Sequence, residues 1–443
     1  MKKATLLLLA LSIVISLCSC GAKEADTPNE DTTPSVTEEV STEPATAETE
    51  ATTSAPKDYV HGEDGYFNLL EEYPDIRMKE QEGGTCWLFS AANSMETAYV
   101  MKNGSYITVD PMEMLDRIYL DEKEEGFFPK EGFNGKNIGG WQWMVTETLT
   151  NGFGDITIDG SVILDTDDRD AIKEAVKNRG GVAIGVNDTD NRYKGWHGGY
   201  YTLNYTREEF NHDVTIIGYD DHFPKQYFNT PASEDGAWIC YNSAFGSAGF
   251  FYVSYDAPLE YGISHSVTDE YSEVLAYDAG NEQEICILDE NGVTTANVFH
   301  KAGTLAAVGT YNDFDEQDIT IDIYSADFSQ LLYSQDAVLD YHGYHTVELD
   351  TPQAVSDYAV AITYSKGAPV EGEDIDYGDS DYKTVSESGQ SFIRLDDGWH
   401  DMTEKGIKVR LDTAFRTEDM NITAEFGVDF DPNNCCIKAL YAK

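Results

Sequence analysis

Apolar residues recur every three or four positions in several parts of the chain, which is the spacing of one face of an α-helix. The clearest pattern runs from Cys86 to Met101 and stops at Asn103-Gly104, so it predicts an amphipathic helix that begins at Cys86. Three further helices are predicted at Asp110–Tyr119, Gly140–Thr150 and Asp168–Asn178. Short apolar runs then predict four strands, at Val182–Val186, Val214–Tyr219, Ala237–Asn242 and Phe250–Tyr255. Helices followed by strands indicate an α+β domain with segregated halves.

After about Tyr271 the pattern changes to an alternation of apolar and polar residues interrupted by turns. Ile319, Ile321 and Ile323 alternate with polar residues, and residues 358–364 repeat the alternation. Several short strands of this kind must bury one face against another sheet. The pattern therefore predicts a second, all-β domain with the form of a sandwich.

The N-terminal region predicts export. Two lysines precede the apolar run Ala4–Leu17, which is too short to span a membrane comfortably and is typical of a signal peptide. The following residues, Ser19-Cys20-Gly21, resemble the bacterial lipoprotein signal, and this resemblance implies that Cys20 is acylated. We therefore expect a lipid anchor at the outer face of the cell membrane. A soluble secreted protein with a coincidental cysteine is the alternative.

Residues 21–57 consist mainly of Thr, Glu, Ser, Ala and Pro, and they contain too few large apolar residues to fold. They predict a disordered acidic linker. The chain then divides into a signal peptide (1–20), this linker (21–57), the α+β domain (58–271) and the all-β domain (272–443).

The formal net charge of −52, from 81 acidic and 29 basic residues, would repel phosphate backbones and anionic lipids. Nucleic acid is therefore excluded as a partner, and membrane contact is expected only through the lipid anchor. Five cysteines follow Cys20, which is an odd number and too few for a disulfide scaffold. Structural roles are predicted for the adjacent pair Cys435 and Cys436.

Three sequence blocks together suggest acyl-transfer chemistry, which needs a nucleophile, a base and a group that orients the base. The first runs from Gln81 through two glycines to Cys86-Trp87-Leu88-Phe89-Ser90, the second is Asn211–Asp220 around His212, and the third is Trp238–Ser243. They resemble the nucleophile, histidine and asparagine regions of the papain family of cysteine peptidases. The separation of Cys86 and His212, 212 minus 86 or 126 residues, is close to the roughly 130 typical of such peptidases.

This resemblance implies a papain-like domain with two lobes, one helical and one β-barrel-like. It makes Cys86 the nucleophile, at a helix start where the helix dipole lowers the pKa of a thiol. His212 would be the general base and then acid, oriented by Asn242, and Gln81 would donate to the oxyanion. Gly139 and Gly140 resemble the glycine pair whose backbone binds the substrate chain.

Two departures from the family pattern affect the expected site. Gln81 lies five positions before Cys86, one fewer than is usual, so the intervening loop is shorter. The family usually has Trp-Gly after the Asn-Ser pair, whereas this chain has Ala244-Phe245-Gly246. The site is therefore expected to be wetter and slower unless Phe245 substitutes for the missing tryptophan.

The segment from about Ala296 onward resembles the lectin-like domain of some bacterial papain-type peptidases. A carbohydrate or wall-polymer receptor and a packing domain both remain open. The acidic residues 371–379 lack the spacing of an EF-hand, so we expect a solvated loop there and no calcium site. Residues 404–426 are expected to form an inserted hairpin. No zinc spacing or nucleotide fingerprint occurs, and no cofactor is implied.

The sequence thus predicts an exported, surface-anchored endopeptidase that cleaves peptide or protein substrates through a thioester intermediate. Two alternatives remain. One is an impaired surface-binding or adhesion protein that uses the β domain, and the other is a cysteine-dependent transpeptidase or amidase.

Overall fold

The computed structural model describes residues 59–412 and 434–443, except 63, 121–124, 189–193, 198–199, 245–248, 280–284, 290, 373, 377–378, 405–406 and 408. The predicted signal peptide, the linker and most of the predicted hairpin at 404–426 lie outside these residues. Within the described part, no helix combines the length and apolar character needed to cross a membrane.

Six α-helices are described, all before residue 179, and one 3₁₀ helix follows at Lys225–Tyr227. The α-helices are α1 (Leu69–Glu72), α2 (Cys86–Asn103), α3 (Pro111–Ile118), α4 (Gly135–Ile138), α5 (Gln142–Leu149) and α6 (Arg169–Asn178). The four predicted helices correspond to α2, α3, α5 and α6. Asp110 caps α3 by accepting a hydrogen bond from the Met112 amide, and Asp168 caps α6 in the same way from Ala171. Polar caps at both helix starts explain why the sequence located them well.

The strands fall into two groups along the chain. The first is β1 (Tyr66–Asn68), β2 (Gly126–Pro129), β3 (Thr157–Leu164), β4 (Val182–Val186), β5 (Lys194–His197), β6 (Tyr200–Leu203), β7 (His212–Asp220), β8 (Ala237–Tyr241), β9 (Phe250–Ser254) and β10 (Glu260–Thr268). The second begins with β11 (Tyr271–Leu275), β12 (Ile285–Leu288), β13 (Val293–Asn312), β14 (Gln317–Ser325), β15 (Leu331–Leu339) and β16 (Gly343–Tyr364). It ends with β17 (Gly367–Val370), β18 (Ile375–Asp376), β19 (Ser380–Lys383), β20 (Ser391–Leu395), β21 (Gly398–Asp401), β22 (Arg410–Asp412) and β23 (Ile437–Ala442).

Helix α2 is central to the first domain and differs from its prediction. It was expected to be amphipathic, but it is buried on nearly every side, between strands β4, β7 and β10 and helices α3 and α5. Its polar residues are accommodated by hydrogen bonds, because Ser94 donates to the Gly181 carbonyl and Asn93 donates to the Thr215 hydroxyl. Only its last turns reach solvent. The prediction was wrong because these polar positions have partners on distant strands.

The first group of strands pairs around α2 in the order β3, β10, β4, β7 and β8, all antiparallel. The strand prediction for 182–186 corresponds to β4, and the other three correspond to β7, β8 and β9. Val182, Ile184 and Val186 are fully buried together with Val214 and Ile216 of β7. This core fixes the end of β7 that carries His212.

The second group of strands forms its own core but also continues the first. Within the described residues after Tyr271 every regular element is a strand. Strand β16 pairs with β3, and β19 pairs with β2, so hydrogen bonds join the two domains. Tyr311, Tyr344 and Tyr382 pack into the same core as Trp87 and Leu88 of α2. The β domain therefore completes the packing around the helices of the first domain.

The acidic segment 371–379 was expected to be a solvated loop, and this was wrong for Glu371. Its side chain is fully buried, and its carboxylate accepts hydrogen bonds from Tyr382, Thr384, Asn434 and the Ala279 amide. Burial raises the pKa of Glu371 to about 7. The carboxylate therefore joins four separate segments of the β domain.

The described cysteines are reduced. Cys86, Cys240, Cys435 and Cys436 are all buried and form no disulfide with one another. Burial raises the pKa of the Cys435 thiol to about 12. A structural role for this thiol, as predicted, agrees with its burial in the core of the β domain.

Candidate functional site

Cys86 is the first residue of α2, and 2% of its surface is exposed. The preceding Thr85 does not cap the helix with its side chain, because its hydroxyl donates to the Glu82 carbonyl at 2.7 Å. Gly84 donates its amide to the Lys136 carbonyl at 2.8 Å, which ties the loop before the helix to the short helix α4. The sulfur thus lies at a helix N-terminus whose first amides have no side-chain cap.

His212 is the first residue of β7 and is buried. Its Nε2 lies 2.8 Å from Oδ1 of Asn242, which directly follows β8. Because an amide oxygen can only accept a hydrogen bond, Nε2 carries the hydrogen and donates it. The other ring nitrogen, Nδ1, is then the one that can take up a proton.

Asn242 is itself held at two points. Its backbone amide donates to the Gly249 carbonyl at 2.7 Å, and its Oδ1 also accepts from the Ala244 amide at 2.9 Å. These bonds fix the side chain against His212. Phe245, which was considered as a replacement for the family tryptophan, lies outside the described residues.

Helix α2 and strand β7 are aligned so that Cys86 and His212 lie at the same end. The hydroxyl of Thr215 donates to the Ser90 carbonyl at 3.3 Å and accepts from Asn93 at 3.4 Å. Ser90 is about one helical turn after Cys86, and Thr215 is three strand residues after His212. The two predicted catalytic residues are therefore brought to one edge of the helix and sheet interface.

Gln81 is attached to the asparagine side of this edge through Ser243. The hydroxyl of Ser243 donates to Gln81 Oε1 at 2.8 Å, and the Gln81 amide donates to the Ser243 carbonyl at 3.0 Å. The Gln81 side-chain nitrogen donates to the Gly83 carbonyl at 2.9 Å. That nitrogen has two hydrogens, so the bond to Gly83 leaves one for another acceptor.

Ser243 is a site residue that the sequence reasoning did not assign. It lies between the asparagine and the glutamine and orients the glutamine with both its side chain and its backbone. Its position directly after Asn242 in a matching sequence block was the only signal that could have identified it.

Gly139 and Gly140 have structural reasons to be glycine. Gly139 has a φ of 84°, which favours glycine, and its carbonyl accepts from the Tyr119 hydroxyl at 3.0 Å. A Cβ on Gly140 would lie 2.5 Å from ring atoms of Trp87, the residue after Cys86. A role for these glycines in binding substrate stays a prediction.

No group of three or more metal-binding side chains occurs among the described residues.

Two family models match separate parts of the chain. The model described as the papain family of cysteine proteases matches residues 144–271, and the model described as a lectin-like domain matches residues 275–413. The first match contains His212 and Asn242 but begins after Cys86 and Gln81.

Proteins with similar sequences include several cysteine proteases. Cathepsin S of Bos taurus is 22% identical over 206 residues, which are 41% of this chain and 57% of that protein. Digestive cysteine proteinase 3 of Homarus americanus is 22% identical over 212 residues, which are 42% of this chain and 60% of that protein. The chain thus spans less than two thirds of the length of these relatives.

Two solved structures resemble both domains at once. The clostridial cysteine protease Cwp84 after propeptide cleavage has a TM-score of 0.68 and 18% identity, covering 85% of this chain and 99% of that chain. The cysteine protease and lectin-like domains of Cwp84 from Clostridium difficile have a TM-score of 0.65 and 18% identity, covering 88% and 90%. The chain therefore shares the fold of the cysteine protease and lectin-like domains of Cwp84, and separate parts of it match the papain-family and lectin-like models.

Proposed function

We propose that this chain is a cysteine endopeptidase in which Cys86 is the nucleophile and His212 the base. The observation that carries the proposal is the hydrogen bond from His212 Nε2 to Asn242 Oδ1 at 2.8 Å, at the end of β7 that faces the start of α2. This bond assigns the tautomer of the imidazole. It leaves Nδ1 as the atom that exchanges a proton with the thiol.

The reaction follows from these positions. The Cys86 thiol transfers its proton to His212, and the sulfur attacks the carbonyl carbon of a peptide bond. The backbone amide of Cys86 and the second side-chain hydrogen of Gln81 stabilise the negative charge on the carbonyl oxygen. His212 then gives its proton to the leaving amine, and a thioester remains. Water hydrolyses the thioester after His212 removes its proton, and the proton returns to the sulfur.

The test is hydrolysis of a quenched fluorescent peptide library by the full chain and by Cys86→Ala. We expect turnover in the unmodified protein and its loss by at least 10³-fold in the variant. Cys240→Ala is the matched control, because Cys240 is also buried and reduced but belongs to the strand core. Equal turnover by the unmodified protein and Cys86→Ala would contradict the proposal. Products captured on an added amine instead of water would indicate a transpeptidase.

We further propose that the chain is exported and anchored through an acylated Cys20, and that the lectin-like domain binds a carbohydrate or wall polymer. The support for the anchor is the sequence resemblance alone, since Cys20 lies outside the described residues. Expression of Cys20→Ser tests the anchor, because the variant should leave the membrane fraction while the unmodified protein remains in it. Substrates on the same cell surface would then be within reach of the peptidase domain.

A further inference from the structure

Two carboxyl groups of the peptidase domain converge on one glycine. Asp213 of β7 pairs with Gly185 of β4, and Gly185 pairs in turn with Glu260 of β10. Residues aligned across neighbouring strands project to the same face of a sheet. A Cβ on Gly185 would lie 3.1 Å from Glu260 Oε2 and 3.5 Å from Asp213 Oδ1. The glycine thus provides the space in which Asp213 and Glu260, the carboxyl pair, approach each other.

Asp213 is buried, Glu260 is half-buried, and both carboxyl groups tend to keep a proton. Asp213 is 6% exposed, and burial raises its pKa to about 7. Burial also raises the pKa of Glu260 to about 8, and the negative charge of Asp213 adds to this effect. Two carboxyl groups placed in this way ionise one after the other, because a second negative charge is unfavourable while the first is present.

The carboxyl pair is adjacent to the proposed base. Asp213 directly follows His212 in the chain, and the charge of His212 lowers the pKa of Asp213. Such an interaction is reciprocal, so an ionised Asp213 must stabilise the imidazolium form of His212 by the same free energy.

Among the described residues, the other elements around the pair contribute no competing charge to this interaction. From α5, the neutral side chain of Gln142 lies beside Asp213 and also donates to the Trp87 carbonyl in the first turn of α2. From β4 the facing residue is Gly185, which has no side chain. Near Glu260 the ionisable group is Tyr205, whose pKa is raised by burial and whose hydroxyl donates to the Pro258 carbonyl. Tyr205 therefore stays neutral at any pH relevant here.

We propose that Asp213 is a positioning residue for the reaction, and that its carboxylate, while Glu260 is still protonated, keeps His212 in the imidazolium form. This inference rests on the proposed function, because it assigns the same roles to Cys86 and His212. It adds a residue that keeps His212 protonated up to a higher pH, so that His212 can still donate a proton to the leaving amine.

The sign of the effect follows from the order of ionisation. Below about pH 6 Asp213 is protonated, so it has little influence on His212. As the pH rises through about 7 Asp213 ionises and opposes the loss of the imidazolium proton. Removing the Asp213 charge should therefore lower the pH at which the imidazolium is lost, by about half a pH unit or more. The part of the pH–rate profile below about pH 6 should hardly change, because Asp213 is protonated there.

Alkylation of Cys86 by iodoacetate measures the pH at which the His212 imidazolium is lost, without any peptide substrate. The reagent is an anion, so its reaction with the thiolate is accelerated by the imidazolium and slows as that charge is lost at higher pH. Neutral iodoacetamide reports the thiolate alone and serves as the reagent control. The alkaline midpoint is the pH at which the rate of alkylation by iodoacetate has fallen halfway on the alkaline side. We compare this pH, and not the maximal rate, for the unmodified protein, Asp213→Asn and Glu260→Gln.

The two variants are matched, because each replaces one carboxyl of the pair by an amide of the same shape. Asp213→Asn should shift the alkaline midpoint down, whereas Glu260→Gln should leave it in place or move it up, since Asp213 then ionises more readily. An unchanged midpoint in Asp213→Asn, or the same downward shift in both variants, would overturn the proposal. Absence of peptide turnover together with the expected midpoints would count against the peptidase function and leave the effect of Asp213 on His212 standing.

If Asp213→Asn does not fold, the unmodified protein still decides the question. The NMR signals of the His212 ring should then show two inflections with pH, one from Asp213 and one from the imidazole itself. A single inflection would refute the coupling.

Discussion

Substitution of Ser243 by Ala tests whether this residue acts on the reaction through Gln81. The change removes the 2.8 Å hydrogen bond from the Ser243 hydroxyl to Gln81 Oε1 and keeps the backbone bond between the same two residues. One neutral hydrogen bond contributes about 1 kcal/mol, which corresponds to roughly a fivefold change in rate. We therefore expect kcat for a fluorogenic peptide to fall about fivefold in Ser243→Ala. KM should change little, because the oxyanion exists only in the transition state.

The double substitution gives the sharper result. Gln81→Ala removes an oxyanion donor and should reduce kcat by roughly 10²–10³-fold. If Ser243 works only by orienting Gln81, Ser243→Ala has nothing left to disturb once Gln81 is absent. The double variant should then be no slower than Gln81→Ala alone.

The control for this cycle is Ser266→Ala. Ser266 lies on β10, and its hydroxyl makes one hydrogen bond of 3.2 Å to the Gly160 carbonyl, at the far side of the sheet from Gln81. Its kcat should stay within twofold of the unmodified value. The reasoning is refuted if the effects of Ser243→Ala and Gln81→Ala multiply, since Ser243 would then act on the reaction independently of Gln81.

Three further predictions concern stability, each measured by urea unfolding. Lys438→Met should lose about 3–5 kcal/mol, because Lys438 and its ion-pair partner Asp278 are both fully buried and the carboxylate would lack its cation; a loss under 1 kcal/mol would contradict this. Gly140→Ala should lose about 1–3 kcal/mol through the clash with Trp87, and wild-type stability would refute the packing. Burial lowers the pKa of His265 to about 3, so between pH 6.5 and 4 the unfolded state binds a proton there that the folded state does not. The free energy of unfolding of His265→Leu should therefore rise, relative to that of the unmodified protein, by about 1 kcal/mol for each pH unit that the pH falls in this range. A difference that does not change with pH would contradict this.

The sequence located the elements that present the site because their signals are local. Helix α2 begins at the predicted residue and extends two residues beyond the predicted Met101, to Asn103 before the left-handed Gly104. Strand β4 has the predicted bounds, since a fully buried strand is a short continuous apolar run. His212 begins β7 and Asn242 directly follows β8, the antiparallel neighbour of β7, so the pairing of these two strands brings the predicted pair together.

What the sequence could not predict depends on contacts between distant positions. The pattern of α2 suggested one polar face, but the polar residues Asn93 and Ser94 bond to strands more than 80 residues away. The carboxyl pair of Asp213 and Glu260 is visible only once β4, β7 and β10 are placed in register. Neither feature has a local signature, because the partners that satisfy a buried polar group are chosen by topology.

The junction of the two domains also depends on contacts between positions distant in sequence, and it affects the site directly. A predicted β domain at 272–443 suggests an appended module, yet Tyr311 and Tyr344 are fully buried in the core that surrounds Trp87. Trp87 in turn packs against Gly140 and directly follows Cys86, so the β domain supports the helix start that carries Cys86. Close-packed interiors transmit displacements of this kind instead of absorbing them. The β domain is therefore part of the scaffold of the candidate site.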